Sequence, residues 1–286
     1  MLPATLPARA RPFLGRLGIA AVPFLLWTAY ALAFVGHVAF RAVGDELFTR
    51  RSLAATEFPV FGTSASGWLQ SRFYGDGSYF LDKLATGLHL VWFAYPIVVG
   101  IALTAWRRSR LLEYLAWVTI CWYVADLGFL VLPVIPPWMD DAGLQRILLE
   151  RGWIEYAGLD SNPVAAFPSL HATIPLAVGL FLWFHVPGAR WAAAASGVMA
   201  LLTGAAVVYL GEHWVVDVVA GWVLAGFVAW LFVSSRVRGA LHRIPGDPLR
   251  RVQQLDARIA DLGHVTAPPA VEEATGADPH PERRAA

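Results

Sequence analysis

The sequence predicts an all-α polytopic membrane protein, a bundle of six transmembrane helices with outer loops that lie on the membrane. Hydrophobic residues make up 57% of the 286-residue chain and charged residues only 15%. A soluble domain carries about 25% charged residues, so this chain has too few to cover a water-exposed surface. The apolar residues are also gathered into six stretches, each close to the roughly 20 residues that a helix needs to cross a bilayer.

The six predicted spans cover residues 17–39, 84–106, 112–133, 170–187, 190–210 and 214–234. The last two are rich in Ala, Val, Leu and Gly on all sides, as expected of helices surrounded by lipid. A cleaved signal peptide is the alternative for the first span, because three arginines precede it. Its apolar run is longer than that of a typical signal peptide.

Arginines predict the orientation of the bundle. They cluster before the first span, in the loops after the second and fourth spans, and after the sixth span. These places lie on one side of the membrane if six helices alternate. Loops on the cytoplasmic side carry the excess of Lys and Arg, so both termini are predicted to be cytoplasmic at the plasma membrane.

The two loops on the opposite side, 40–83 and 134–169, mix acidic and basic residues and carry aromatics such as Trp68, Tyr74 and Trp138. Aromatic side chains favour the headgroup layer, so we expect both loops to lie on the membrane and cover the outer helix ends. Plain interfacial anchoring, with no role at a site, is the alternative for each aromatic.

The chain divides into four predicted parts. A cytoplasmic segment, 1–16, precedes the transmembrane domain, 17–235. Residues 236–264 carry apolar side chains at three- and four-residue spacing, which predicts a cytoplasmic amphipathic segment on the inner leaflet. Residues 265–286, rich in Pro, Ala and Glu, are predicted to be disordered. The net charge of +1 argues against nucleic acid as a partner, because no basic excess exists to meet phosphates.

Ionisable residues in the predicted spans gather near the outer face. Such groups are costly inside a membrane, so each is a candidate for function. His185 lies toward the inner face, whereas six others map to the outer third of their helices: His37, His89, Asp126, His171, His213 and Asp217. One polar pocket in the outer leaflet would explain this clustering. We expect His89 and Asp126, at similar depth on adjacent helices, to pair and support the pocket; a histidine bonded to backbone is the alternative.

The run Gly211-Glu212-His213-Trp214-Val215-Val216-Asp217 begins the sixth span. His213 and Asp217 are four residues apart, so we expect them to lie one turn from each other on one face of a helix. The carboxylate can therefore accept a hydrogen bond from one ring nitrogen and leave the other nitrogen free to attack. A structural His–Asp bond that seals a helix end explains the spacing equally well.

The run Phe167-Pro168-Ser169-Leu170-His171-Ala172 begins the fourth span. Ser169 is a natural N-cap, and His171 then lies in the first helical turn, where free N–H groups and the helix dipole attract anions. A phosphate bound there would meet the Ser169 hydroxyl and the His171 ring. An ordinary cap beside an incidental histidine is the alternative.

Together the two motifs resemble the type 2 phosphatidic acid phosphatase superfamily. Pro168-Ser169-x-His171 is followed some forty residues later by His213-x-x-x-Asp217. The similarity covers roughly residues 17–235. Three runs look like the branch that contains inositol phosphorylceramide synthases and their bacterial relatives: Pro133-x-x-Pro136-Pro137-Trp138, Ala165–Ala172 and Tyr209–His213.

The resemblance implies a membrane enzyme that forms a phosphohistidine. His213 would be the nucleophile, Asp217 would orient and polarise it, and His171 would protonate the leaving oxygen. No cofactor and no metal is implied. The implied partners are membrane lipids, a phosphorylated lipid substrate and, for a transferase, an alcohol acceptor such as inositol.

Two cationic motifs of the superfamily's phosphatases are missing. Nothing fits Lys-x6-Arg-Pro before the fourth span, and Ala206 and Val207 replace a Ser-Arg pair. These departures favour inositolphosphotransferase-like transfer of a phosphoryl or phospho-headgroup to an alcohol. The alternative is a lipid phosphate or polyprenyl diphosphate phosphatase, and the alternative from another class is a non-catalytic transporter or lipid-binding protein. Arg72, Lys83 and Arg151 are candidate phosphate-binding cations.

Overall fold

The computed structural model describes residues 10–41, 49–150 and 164–242, together with Gln254. Within these ranges the protein is all-α, and five helices are long and apolar enough to cross a membrane. A sixth apolar helix is shorter, with 16 residues. The six helices are α1 (Ala10–Arg41), α4 (Tyr79–Trp106), α5 (Leu111–Val131), α8 (Leu170–His185), α9 (Arg190–Tyr209) and α10 (Val215–Val233). The prediction of an all-α polytopic membrane protein is therefore confirmed.

The short helix α8 lies inside the bundle. It packs against α5, α9 and α10, and its buried face includes Ala172, Ile174 and Phe181. Its end falls before the turn at Pro187 and Gly188, because the residue before a proline is driven out of helical conformation. Most of α8 therefore meets protein on nearly all sides, and only Trp183 and Phe184 near its end are exposed.

Short helices cover one end of the bundle, which we call the roofed end. Trp138 N–H donates to the carbonyl of Gly211 at 3.1 Å, and Gln70 Nε2 donates to the carbonyl of Tyr209 at 2.9 Å. The outer segments are thus tied to the end of α9, and they cover the helix ends as expected. They contain α2 (Ala54–Phe61), α3 (Ala65–Phe73), α6 (Pro137–Asp140) and α7 (Ile147–Glu150).

A carboxylate joins the two outer segments to each other. Asp141 Oδ2 accepts hydrogen bonds from Thr63 Oγ1 at 2.9 Å and Ser64 Oγ at 3.0 Å. Burial raises the pKa of Asp141, but these bonds and others from the backbone outweigh it, so the pKa lies below its ordinary value. The Asp141 carboxylate therefore stays charged and holds the α2–α3 connection against the loop after α6.

The predicted cytoplasmic parts lie mostly outside the described residues. A short helix, α11 (Ser235–His242), follows α10 directly. The amphipathic prediction for 236–264 reaches the described part only there and at Gln254. The tail 265–286 and most of the segment 1–16 also lie outside it, so the four-part division stays a prediction.

Candidate active site

His213 and Asp217 meet at the start of α10, although not in the way that their spacing predicts. His213 precedes the helix, because the chain leaves α9 through Gly211 in a left-handed conformation and Trp214 occupies the N-cap. The expectation of two residues on one helical face is therefore wrong. Asp217 Oδ2 accepts the N–H of Trp214 at 2.9 Å and lies 3.5 Å from His213 Nδ1. The buried carboxylate of Asp217, in the first turn of α10, still lies within reach of the His213 ring.

The second imidazole comes from the first turn of α8. His171 Nδ1 lies 3.0 Å from His213 Nε2, a hydrogen-bonding distance between two rings that are 42 positions apart in sequence. A tautomer of His213 with its proton on Nδ1, facing Asp217, leaves Nε2 to accept a hydrogen bond from His171 Nδ1–H. The three residues Asp217, His213 and His171 thus form one continuous polar chain.

Ser169 stands at the N-cap of α8, as expected, but its side chain makes no capping bond. Its hydroxyl is fully buried and has no hydrogen-bond partner in the part of the chain that is described, and the same is true of His171 Nε2. The Ser169 N–H donates instead to the carbonyl of Asp217 at 3.0 Å. That bond joins the start of α8 to the start of α10, and it leaves the Ser169 hydroxyl and His171 Nε2 as two buried polar atoms without a partner among the described residues.

The predicted pair of His89 and Asp126 is wrong. Asp126 Oδ1 pairs with His37 Nδ1 at 2.7 Å, because α5 packs against α1. His89 instead stacks on His171, with ring centroids 4.3 Å apart, and Trp92 meets the same ring edge-on at 4.8 Å. His89 therefore belongs to the site directly, whereas Asp126 lies in a separate buried pair.

Comparison with known proteins identifies the family. The profile of the PAP2 superfamily matches residues 68–231, which is more than half of the chain. The chain belongs to the PAP2 superfamily. It is also 32% identical over 79 residues to an undecaprenyl-diphosphatase from Sulfolobus acidocaldarius, a match that spans 28% of this chain and 37% of that relative. No solved structure matches the chain.

Membership of the PAP2 superfamily confirms the resemblance to type 2 phosphatidic acid phosphatases at the level of the superfamily. It supports an enzyme that acts on phosphate esters. The narrower resemblance to inositol phosphorylceramide synthases is not confirmed by these matches.

Two of the three cations that we predicted to bind the phosphate, Arg72 and Lys83, contact aromatic rings instead. Arg72 is exposed and covers the Trp68 ring at 3.9 Å, and exposed Lys83 lies 5.9 Å from the Tyr79 ring. Arg151 falls outside the described residues. Neither Arg72 nor Lys83 therefore has its ring contact at the two imidazoles.

Sequence reasoning missed a different arginine. Arg146 forms a two-point pair with Glu212, from Nε to Oε1 at 2.9 Å and from Nη2 to Oε2 at 3.2 Å. Glu212 is the residue before His213, so the guanidinium is held beside the nucleophile candidate. It also lies close enough to His89 to interact with it electrostatically. In the sequence, only acidic Glu212 next to His213 could have indicated that a cation pairs with this run.

Proposed function

We propose that this protein is a membrane phosphatase that removes a phosphoryl group from a lipid phosphate or a polyprenyl diphosphate through a phosphohistidine on His213. The observation that carries the proposal is the buried chain of contacts from Asp217 through His213 to His171. Membership of the PAP2 superfamily and the similarity to an undecaprenyl-diphosphatase support this alternative better than the inositolphosphotransferase-like interpretation.

The first chemical step needs the two imidazoles to separate. Reacting atoms begin about 3–3.5 Å apart, so a phosphorus atom cannot fit between two nitrogens that are 3.0 Å apart. The incoming phosphoryl group must displace the bond between His171 and His213. His213 Nε2 then attacks phosphorus, and Asp217 stabilises the positive charge that develops on the ring.

His171 handles the proton of the leaving group. As the bond between phosphorus and the leaving oxygen breaks, protonated His171 gives its proton to that oxygen. Neutral His171 next accepts a proton from water, which attacks phosphorus and breaks the P–N bond. Inorganic phosphate leaves, and both histidines return to their starting protonation states.

The start of α8 offers a place for the phosphoryl oxygens. The first N–H groups of a helix have no intrahelical partner and lie at the positive end of its dipole. Beside them the Ser169 hydroxyl is buried without a partner among the described residues. We expect these neutral donors, with the imidazoles, to hold the phosphoryl group.

Transfer to an alcohol is a second candidate. Apolar Ala206 and Val207 replace the Ser-Arg pair of the superfamily's phosphatases, and both are buried. The chemistry at phosphorus is the same, and only the acceptor differs. Inositol, a sugar or a lipid hydroxyl would replace water in the second step.

A trapping experiment tests the proposed function. Purified protein is quenched during turnover of a ³²P-labelled lipid phosphate or polyprenyl diphosphate, and the protein should carry acid-labile, base-stable label. His213→Ala should lose this label. His185→Ala is the matched control, because His185 lies at the opposite end of α8, paired with Glu113 at 2.8 Å.

The outcomes of this trap distinguish the candidates. Label that survives His213→Ala would move the nucleophile elsewhere, and no label with any phosphorylated lipid would favour a non-catalytic membrane protein. Labelled inorganic phosphate as the product supports the phosphatase. A labelled product that forms only when inositol or another alcohol is added supports the transferase.

A further inference from the structure

Glu57 is a buried carboxylate that caps two helices at once. It lies in α2 of the roofed end and is 3% exposed. Its Oε2 accepts the N–H of Ala65, at the start of α3, at 2.7 Å. Its Oε1 accepts the N–H of Val215, at the start of α10, at 2.6 Å. A single side chain from the roof therefore bonds the helix that follows His213.

The bond to α10 lies next to the bond that orients the nucleophile. The N–H of Trp214 goes to Asp217 and the next N–H, of Val215, goes to Glu57. Both carboxylates are buried, and they lie close enough to interact electrostatically. A second negative charge thus stands at a helix N-terminus, where the dipole favours it.

We propose that Glu57 is a positioning residue for His213. It holds the start of α10 so that Asp217 stays within reach of the His213 ring. It also adds negative charge behind a ring that becomes positive when it is phosphorylated. Glu57 acts through the Val215 N–H and does not touch the substrate. The catalytic consequence rests on the proposed function, whereas the orientation of His213 can be measured without it.

A second buried carboxylate at the roofed end serves for comparison. Asp82 is fully buried at the same end, and its two oxygens accept hydrogen bonds from the hydroxyls of Tyr209 and Ser78. These two partners lie in α9 and before α4 rather than in α10. Asp82→Asn therefore removes a buried charge of equal size from the roofed end without removing a bond to the catalytic helix.

Two variants separate the bond of Glu57 from its charge. Glu57→Gln keeps the size of the side chain but removes the charge and can accept only one of the two N–H groups. Val215→Pro removes the N–H from the other side and keeps the charge. Proline suits the first position of a helix, and the extended conformation of Trp214 suits the residue before a proline.

The expected kinetics follow from these two changes. Both variants should lower kcat roughly 10- to 100-fold with little change in KM, because a small misplacement of a reacting group is costly. Their effects should not add, since both act on the same hydrogen bond between Glu57 and the Val215 N–H. Only Glu57→Gln should also shift the acid limb of the pH–rate profile to lower pH, because a positive imidazole loses a negative neighbour.

The titratable and charged groups around this helix start must stay the same in every variant for the comparison to hold. They are Asp217 and His213 beside α10, His171 and His89 from α8 and α4, and the pair of Arg146 and Glu212. Asp82→Asn leaves all of them in place, so it should reduce thermal stability without moving the pH profile.

A second measurement does not depend on turnover. In protein with ¹⁵N-labelled histidine, NMR reports the tautomer of His213, and His213→Ala assigns its signals. Wild type should show the proton on Nδ1, and both Glu57→Gln and Val215→Pro should reduce that population. Unchanged tautomer, kcat and pH profile in these variants would overturn the proposal. If the wild-type protein forms no phosphoenzyme, only the proposed function is overturned. The tautomer of His213 still tests the role of Glu57.

Discussion

At the scale of residues, the decisive feature is a hydrogen bond between two imidazoles. His171 Nδ1 and His213 Nε2 lie 3.0 Å apart, so the nitrogen that we propose as the nucleophile is covered in the absence of substrate. The His171 ring is held in place by His89 on one face and by the edge contact with Trp92. A ring fixed in this way can serve as a proton donor of defined direction.

Replacement of His171 tests its role as the proton donor. His171→Gln should lower kcat by about 100- to 10,000-fold on a lipid phosphate, the usual contribution of general acid catalysis. A substrate whose leaving group is stable as an anion, such as p-nitrophenyl phosphate, needs no donor, so phosphoenzyme formation should fall far less. Steady-state and rapid-quench assays on both substrates measure this difference. Equal losses on the two substrates would contradict the assignment.

At the scale of elements, α8 and α10 meet with almost no space between them at the site. A Cβ on Gly221 would lie 2.4 Å from the carbonyl oxygen of Ser169 and 2.8 Å from Thr173 Oγ1. Thr173 Oγ1 also lies 3.0 Å from the carbonyl of Gly221, to which it donates. The distance between His171 and His213 is therefore set by close contact between α8, which carries His171, and α10, which directly follows His213.

A methyl group at Gly221 should disturb this spacing. Overpacking of a helix contact costs about 1–3 kcal/mol, and a displacement of about 1 Å at the site can cost about 100-fold in rate. The activity of Gly221→Ala should thus fall by about 100-fold, while its circular dichroism spectrum should show unchanged helix content. Gly226→Ala on the same helix is the control, because nothing lies within 4 Å of its Cβ. Equal activity of the two variants would show that the contact does not set the site.

At the scale of the whole molecule, a roof of short helices closes one end of a helix bundle, and the candidate site lies under it. Glu57, Gln70 and Trp138 tie this roof to α9 and α10. The arginines of the turn after α4 and at the start of α9 lie at the other end of these helices. By the positive-inside rule we propose that the roofed end faces outward from the plasma membrane.

Cysteine labelling measures that orientation. The only cysteine, Cys121, is fully buried, so an added cysteine should provide the only reactive thiol. In intact cells a membrane-impermeant maleimide should label Asp76→Cys, in the exposed turn before α4. It should label Pro187→Cys, in the exposed turn between α8 and α9, only after the membrane is permeabilised. The reverse pattern would place the candidate site on the cytoplasmic side.

Local pattern was enough to predict the bundle and most ends of its helices, although α1 and α4 begin earlier than the predicted spans. Span length follows from bilayer thickness, and the start of α8 follows from Pro168 and Ser169, because both act within a few residues of chain. The family motifs also predicted that His171, His213 and Asp217 lie in one site, although their catalytic roles stay predictions.

Tertiary structure alone decided which distant side chains meet. His37 and Asp126 are 89 positions apart, Arg146 and Glu212 are 66 apart, and Glu57 and Val215 are 158 apart. Depth in the membrane made His89 as good a partner for Asp126 as His37, and only the packing of α1 against α5 chose between them. Hydropathy gives each helix a length and a depth, but not a rotation or a neighbour. The contacts that shape the site depend on rotation and neighbour, so they could not be predicted from the sequence.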